Sequence, residues 1–286
     1  MIETIYVPAS AAPVRLIAGA AGAVLVAVAA RRGHALSRGG SAAAVACGAA
    51  SAAAGWAWAA LLVAYFAASS IVTAVGRRRK EARTAPIAEK GGERDAAQVG
   101  ANGAAFCFAA LATLAFPDRS SWHMILTCSA IGALAASAAD TWATEIGVLI
   151  GGAPRSIINR TVVRAGESGG VTWAGTLGGL AGAGFVATLA AVLGLVHGRN
   201  AGGAPLALLL AGMIGSLLDS VLGATMQARR QCDACHALTE RVVHTCGGST
   251  RHVGGVAWID NDVVNLAATL GGLVSGGAMC AWWARG

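Results

Sequence analysis

The sequence predicts an all-α protein, a polytopic bundle of transmembrane helices. Three observations lead there. Of 286 residues, 56% are hydrophobic and only 12% are charged, about half the charged share of a soluble domain. The mean hydropathy is +0.62. Most of the charges that remain fall between long apolar runs rather than within them. Glycine is abundant, at 40 residues, but no Gly-X-Y period marks a collagen. A chain this apolar is not disordered either.

The apolar runs are 14–30, 41–76, 98–116, 122–150, 173–197, 204–228 and 261–284; most approach or exceed the roughly 20 residues that cross a bilayer. As a single helix, residues 41–76 would be about 54 Å long against a hydrocarbon core of about 30 Å. A break at Gly55 turns this run into a hairpin, 41–54 and 56–76. The first arm is short, and it either spans or re-enters. The expectation is about eight spans, with a range of six to eight, in one membrane domain covering 1–286.

Basic residues sort to one side of this arrangement. Loops 31–40, 77–97, 151–172 and 229–258 hold 17 of the 21 Lys and Arg residues. The positive-inside rule makes these loops cytoplasmic, with loops 117–121 and 198–203 and both termini outside. The setting expected is the inner (plasma) membrane of the cell, with an active face toward the cytoplasm. The net charge of +7 then follows from topology and calls for no nucleic-acid partner. Residues 1–13 contain no Lys or Arg, which favours an uncleaved anchor over a signal peptide.

Gly175, Gly178, Gly179 and Gly182 form overlapping small-xxx-small spacings, which let membrane helices approach closely. The Walker-A and His-Glu-x-x-His strings are absent from the sequence, so those chemistries have no signal here.

Acidic residues within the spans carry more information, because each costs at least about 2.5 kcal/mol near the bilayer centre. Asp140 and Glu145 lie in one run, Asp219 in another, and Asp260 and Asp262 open the last. All five fall toward the basic side. Asn261, Asn265 and Gln227 accompany them. Each acid alone reads equally well as a structural ion pair. Together they suit a shared site in which carboxylates hold Mg²⁺ and basic loops meet a polyphosphate. Asp140 and Glu145 are five apart, so convergence on one ion predicts that their helix ends or unwinds near Gly147. The Arg77-Arg78-Arg79-Lys80 cluster reads as topology and attraction to anionic lipid. Loop 166–172 reads either as a phosphate-binding turn or as an ordinary Gly-rich turn.

Cys232, Cys235 and Cys246 share one loop, with His244 between the last two. In a reducing compartment this spacing leaves two readings open, a zinc site or free thiols. Cys47, Cys107, Cys128 and Cys280 lie in apolar runs and read as small buried hydrophobes.

Several strings resemble a family of polytopic membrane proteins named only as domain of unknown function 92. They are 140–147 (Asp-Thr-Trp-Ala-Thr-Glu-Ile-Gly), Gly169-Gly170-Val171-Thr172, Gly215-Ser216 with Asp219-Ser220, Leu222-Gly223-Ala224-Thr225 with Gln227, and Asp260-Asn261-Asp262 with Val264-Asn265. Gln98 and Asn102-Gly103, after Gly91-Gly92-Glu93-Arg94, also fit. Glu167 departs from the Thr common before Ser-Gly-Gly in that family. The resemblance implies a prenyl-phosphate kinase, because plastid members phosphorylate phytyl phosphate with a nucleoside triphosphate, CTP or another. It makes Asp140, Glu145, Asp219, Asp260 and Asp262 candidate catalytic acids, with Asp140, Asp219 and Asp262 on Mg²⁺. Arg94, Gln98, Asn102, Arg155, Ser168, Gly169, Gly170, Gln227, Arg251, Asn261 and Asn265 become candidates for nucleotide and phosphate. The lipid bilayer and a prenyl phosphate are the expected partners. An ion-coupled transporter or a non-catalytic membrane protein is the alternative.

Overall fold

The computed structural model describes residues 11–87, 92–118, 120–196 and 203–283. Arg119 and most of the 198–203 loop lie outside the described residues, as do residues 1–10 and 284–286, so the expected placement of the termini does as well.

The long helices are α1 (Ala12–Arg32), α2 (Arg38–Ala54), α3 (Trp56–Ala74), α5 (Ala96–Ala112), α6 (Ser121–Ile150), α7 (Trp173–Val192), α8 (Ala204–Thr225) and α9 (Asn261–Trp283), with a short basic helix α4 (Arg77–Thr84) after α3. Among the described residues, seven helices are long and apolar enough to cross a membrane, all of these except α2 and α4. The hairpin expected at Gly55 is there, and its 17-residue first arm α2 packs against α1, α3 and α5. The protein is a polytopic helical membrane bundle.

Local signals explain where helices begin. The Ser37 side chain accepts from Gly40 N–H, Ser120 from His123 N–H and Thr172 from Gly175 N–H. These are N-caps, which satisfy the orphan donors of a first turn. Asp95 and Gln98 form a reciprocal capping box on α5.

Helix α6 is the axis of the bundle, packing against α3, α5, α7, α8 and α9. Its stretch from Thr127 to Ala139 is entirely buried and mostly small, so five neighbours approach its backbone. A Cβ at Gly276 of α9 would sit 2.4 Å from the Cys128 carbonyl oxygen, and one at Gly182 of α7 would sit 2.6 Å from that of Ala138. The small-xxx-small glycines of α7 therefore form its seam with α6, as their spacing implied.

Two departures from the sequence reading concern the loops and the cysteines. Segments 151–172 and 229–258 are not plain loops. The first closes with a two-stranded ribbon, β1 (Arg155–Ser156) against β2 (Gly170–Val171). The second forms a three-stranded antiparallel sheet, β4 (Leu238–Thr239), β3 (Arg229–Cys232) and β5 (Thr250–Gly254). These strands are too short to show an alternating pattern. Cys128 and Cys280, read from the sequence as small buried hydrophobes, are joined in a disulfide that ties α6 to α9. Sequence separation of 152 residues hid that proximity.

Candidate active site at the loop-rich end

The four basic loops gather at one end of the bundle. Leu36 of the first bridges to Arg94 of the second. Residues between Arg77 and Thr84, Gly92 and Arg94 of the second, Gly152, Pro154 and 165–172 of the third, and Glu240 of the fourth line a single cavity of about 390 Å³. Asp140 lies 19 residues beyond Ser121, about 29 Å along α6 at 1.5 Å per residue, which is close to the thickness of a hydrocarbon core. A span that starts at Ser121 would thus carry Asp140 to about head-group depth, where carboxylates are tolerated.

Asp140, Glu145, Asp219, Asn261, Asn265, Arg94, Gln98, Asn102, Ser168, Gly169 and Gly170 all line it. The Asp140 and Asp219 carboxyls face each other within hydrogen-bonding reach. The second oxygen of Asp219, Oδ2, is buried with no hydrogen-bond partner. Hard oxygens facing one another, one of them orphaned, form a donor set that fits a divalent cation.

Helix α6 does not unwind to admit Glu145, contrary to the expectation from the five-residue spacing. It runs on to Ile150, and the two acids face different partners. Asp140 meets Asp219, and Glu145 pairs with Lys80. Lys80 is buried, and its ammonium also donates to the carbonyl oxygens of Val72 (3.0 Å) and Thr73 (2.8 Å). This lysine is an internal tie at the end of α3, not part of a lipid-facing cluster.

Asn102 accepts from Ser137 Oγ at 2.7 Å, and that hydroxyl is in turn bonded to Tyr65 at 2.6 Å. A polar chain thus runs from the cavity into the bundle. The Arg94 guanidinium lies over the Phe66 ring, 5.9 Å from its centroid. Arg94, Gln98 and Asn102 also line a second, apolar crevice of about 80 Å³ among α1, α2, α3 and α5.

Several expected residues stand elsewhere. Asp260 caps α9, accepting from the N–H groups of Asp262 and Val263 at 3.0 Å each. Asp262 is in the first turn of α9 but outside the cavity lining. Gln227 is buried beneath the small sheet, where its backbone meets Gly255 closely. Arg155 donates to the Arg160 carbonyl, and Arg251 donates to Gln231 on the sheet surface. Neither arginine reaches the cavity, because β-pairing turns both outward.

Glu240 is the residue that sequence reasoning missed. It lines the cavity, accepts from both the N–H and the hydroxyl of Ser168, and lies close enough to Asp219 to repel its charge. Loop 166–172 is thereby placed at the cavity, although its Ser168 and Gly170 N–H groups are spent on Glu240 and on the Glu167 carbonyl. The Thr239-Glu240 dipeptide gave no signal, because only acids inside apolar runs look anomalous. Cys232, Cys235, His244 and Cys246 converge in the sheet that carries Glu240, with their ligand atoms all within 4.8 Å of one another.

A membrane bundle with a carboxylate pair and a ring of basic side chains in one polar cavity is the class that fold and site define. The chain belongs to the family described as integral membrane protein DUF92, which matches residues 21–273. It is 35% identical to Protein PGR of Arabidopsis thaliana over 227 residues, 74% of this chain and 77% of that protein. An uncharacterised membrane protein of Synechocystis is 36% identical over 58% of this chain and 62% of its own length. The chloroplastic Protein VTE6 of Arabidopsis thaliana is 27% identical over 75% of this chain and 56% of its own. No solved structure matches the chain.

Proposed function

We propose that this protein is an integral membrane kinase. It transfers the γ-phosphoryl group of a nucleoside triphosphate to an isoprenoid monophosphate, giving the diphosphate. The observation that carries this reading is that Arg94, Gln98 and Asn102 are shared by the polar cavity and the apolar crevice. An amphiphile fits that junction, with its phosphate among the carboxylate and guanidinium groups and the first part of its chain in the crevice. The resemblance to plastid phytyl-phosphate kinases supports the same chemistry. The basic loops favour a cytoplasmic active face in the plasma membrane.

In this reading an oxygen of the prenyl phosphate bonds to the γ-phosphorus while the bond to the β–γ bridging oxygen breaks, releasing a nucleoside diphosphate. Such a transfer needs positioning and charge neutralisation more than covalent help. Asp140 and Asp219, with Glu240 beside them, would hold Mg²⁺, which offsets the triphosphate charge. Arg94 orients the acceptor phosphate at the mouth of the crevice, and Asn261 and Asn265 offer polar contacts from α9. Lys80 stays committed to Glu145, so Glu145 positions the wall and does not ligate metal.

The test is transfer of labelled γ-phosphate to a panel of prenyl monophosphates by the purified, magnesium-supplied protein. A labelled prenyl diphosphate is expected. Absence of transfer to every acceptor by folded protein, together with solute flux in proteoliposomes, would replace the kinase with a carrier.

A further inference from the structure

The sheet formed by β3, β4 and β5 contains a group of side chains that the phosphoryl-transfer chemistry does not use. Cys232 and Cys246 sulfurs are 3.5 Å apart, and Cys246 and Cys235 are 3.7 Å apart. His244 Nδ1 is 3.4 Å from the Cys235 sulfur and 3.1 Å from that of Cys246. In a tetrahedral zinc site with Zn–S of about 2.3 Å and Zn–N of about 2.0 Å, ligand sulfurs lie about 3.8 Å apart and sulfur and nitrogen about 3.5 Å apart. The observed separations match that cage. Disulfide pairing would leave one sulfur and the histidine unexplained.

The backbone supplies a second, independent observation. His236 N–H donates to the Cys232 carbonyl (3.0 Å) and Cys232 N–H to the Ala237 carbonyl (2.9 Å), a tight turn that brings the N–H groups of Ala234, Cys235 and Ala237 near the sulfurs. Amides aimed at sulfur compensate thiolate charge around a metal, the outer support on which such sites depend. The turn is held by His236 at φ 58°, and the second arm turns at Gly247, φ 84°. A Cβ at Gly248 would lie 2.8 Å from the Cys232 sulfur, so the chain folds tightly over the cluster. Cys232 is fully buried and His244 nearly so.

We propose that Cys232, Cys235, His244 and Cys246 bind one structural zinc ion, and that this ion holds Glu240 in the cavity. Glu240 lies between Cys235 and His244, so the metal closes the loop that carries it. That loop meets the rest of the chain through Glu240 N–H and Thr239 Oγ1, both donating to the Ile87 carbonyl (2.9 and 3.1 Å), and through Glu240 to Ser168. Four closed ligand positions leave no place for substrate, which is the mark of a structural site. The zinc site itself does not depend on the kinase reading.

The experiment uses the full chain purified in detergent. Elemental analysis should find about one zinc per chain in wild type and below about a tenth of that in Cys232→Ser/Cys235→Ser. Because that variant can misfold, wild type is also treated with a zinc chelator. Zinc release, with three thiols newly reactive, is the expected result, and Co²⁺ added back should give the absorption bands of a tetrahedral thiolate site. Chelation should also raise amide exchange across 236–248 and at Ser168. Wild type that takes up no zinc or cobalt, with the three thiols reactive at the outset, overturns the site. Zinc release without a change in exchange at Ser168 overturns its hold on Glu240.

Discussion

Lys80 of α4 is turned into the bundle, where it pairs with Glu145 of α6 and closes the last turn of α3 through Val72 and Thr73. The final carbonyls of a helix have no internal partner, and a cation there also offsets the negative end of the dipole. One side chain therefore joins three helices at the rim of the cavity.

Lys80→Met should strand the Glu145 carboxylate and cost about 3 kcal/mol, the scale for losing one partner of a buried pair. Adding Glu145→Gln should restore most of that loss. Thermal unfolding in detergent reads both. A double variant no more stable than Lys80→Met would mean that the pair is not coupled.

Asp140→Asn, Asp219→Asn and Glu240→Gln should each reduce phosphoryl transfer by about 100-fold or more, since each removes charge from a site built on electrostatics. Yield should hold, because neutralising a buried acid removes a desolvation cost. Asp260→Asn is the contrast. It should keep transfer near wild type and lower stability by no more than about 1 kcal/mol, as a cap. Low yield with unchanged specific activity in the first three would make those acids structural.

Ala44 and Val63 line the apolar crevice. Ala44→Phe should fill it and lower kcat/KM for a C20 prenyl phosphate by about tenfold or more, the scale of a few lost methylene contacts. Turnover of an acceptor with a single isoprene unit should change much less. Equal losses for both acceptors would place the chain elsewhere.

Cysteines introduced at the exposed positions Arg78 and Asp118, in a background without the five free cysteines, should label from opposite sides of the membrane. An impermeant reagent applied to intact cells should reach Asp118→Cys and not Arg78→Cys. The reverse pattern would remove nucleotide access from the cytoplasm.

Much of this was legible in the sequence, because bilayer thickness and the cost of buried charge act on composition directly. The Gly55 hairpin and the convergence of Asp140 with Asp219 follow from those two constraints, and the α7 glycine seam from its four-residue spacing. Glu240 and Lys80 were not legible. Both lie in polar segments where charge is ordinary, and only tertiary folding carries them to the cavity. Asp260 misled for the opposite reason: an acid at the start of an apolar run is also the residue a helix uses to begin. Arg155 and Arg251 were misplaced because strands too short to signal themselves decide which way a side chain points.

The disulfide between Cys128 and Cys280 and the thiols of Cys232, Cys235 and Cys246 belong to different ends of the bundle. Cystine survives in an oxidising space and free thiols in a reducing one. Insertion with the loop-rich end in the reducing space is the sense that would suit both. A molecule threaded the other way would carry its thiol cluster, two of whose cysteines are exposed, into the oxidising space. With that orientation, the sulfur chemistry of the chain would disfavour inverted copies even where charge had failed to orient them, a form of proofreading written into sulfur rather than into lysine and arginine.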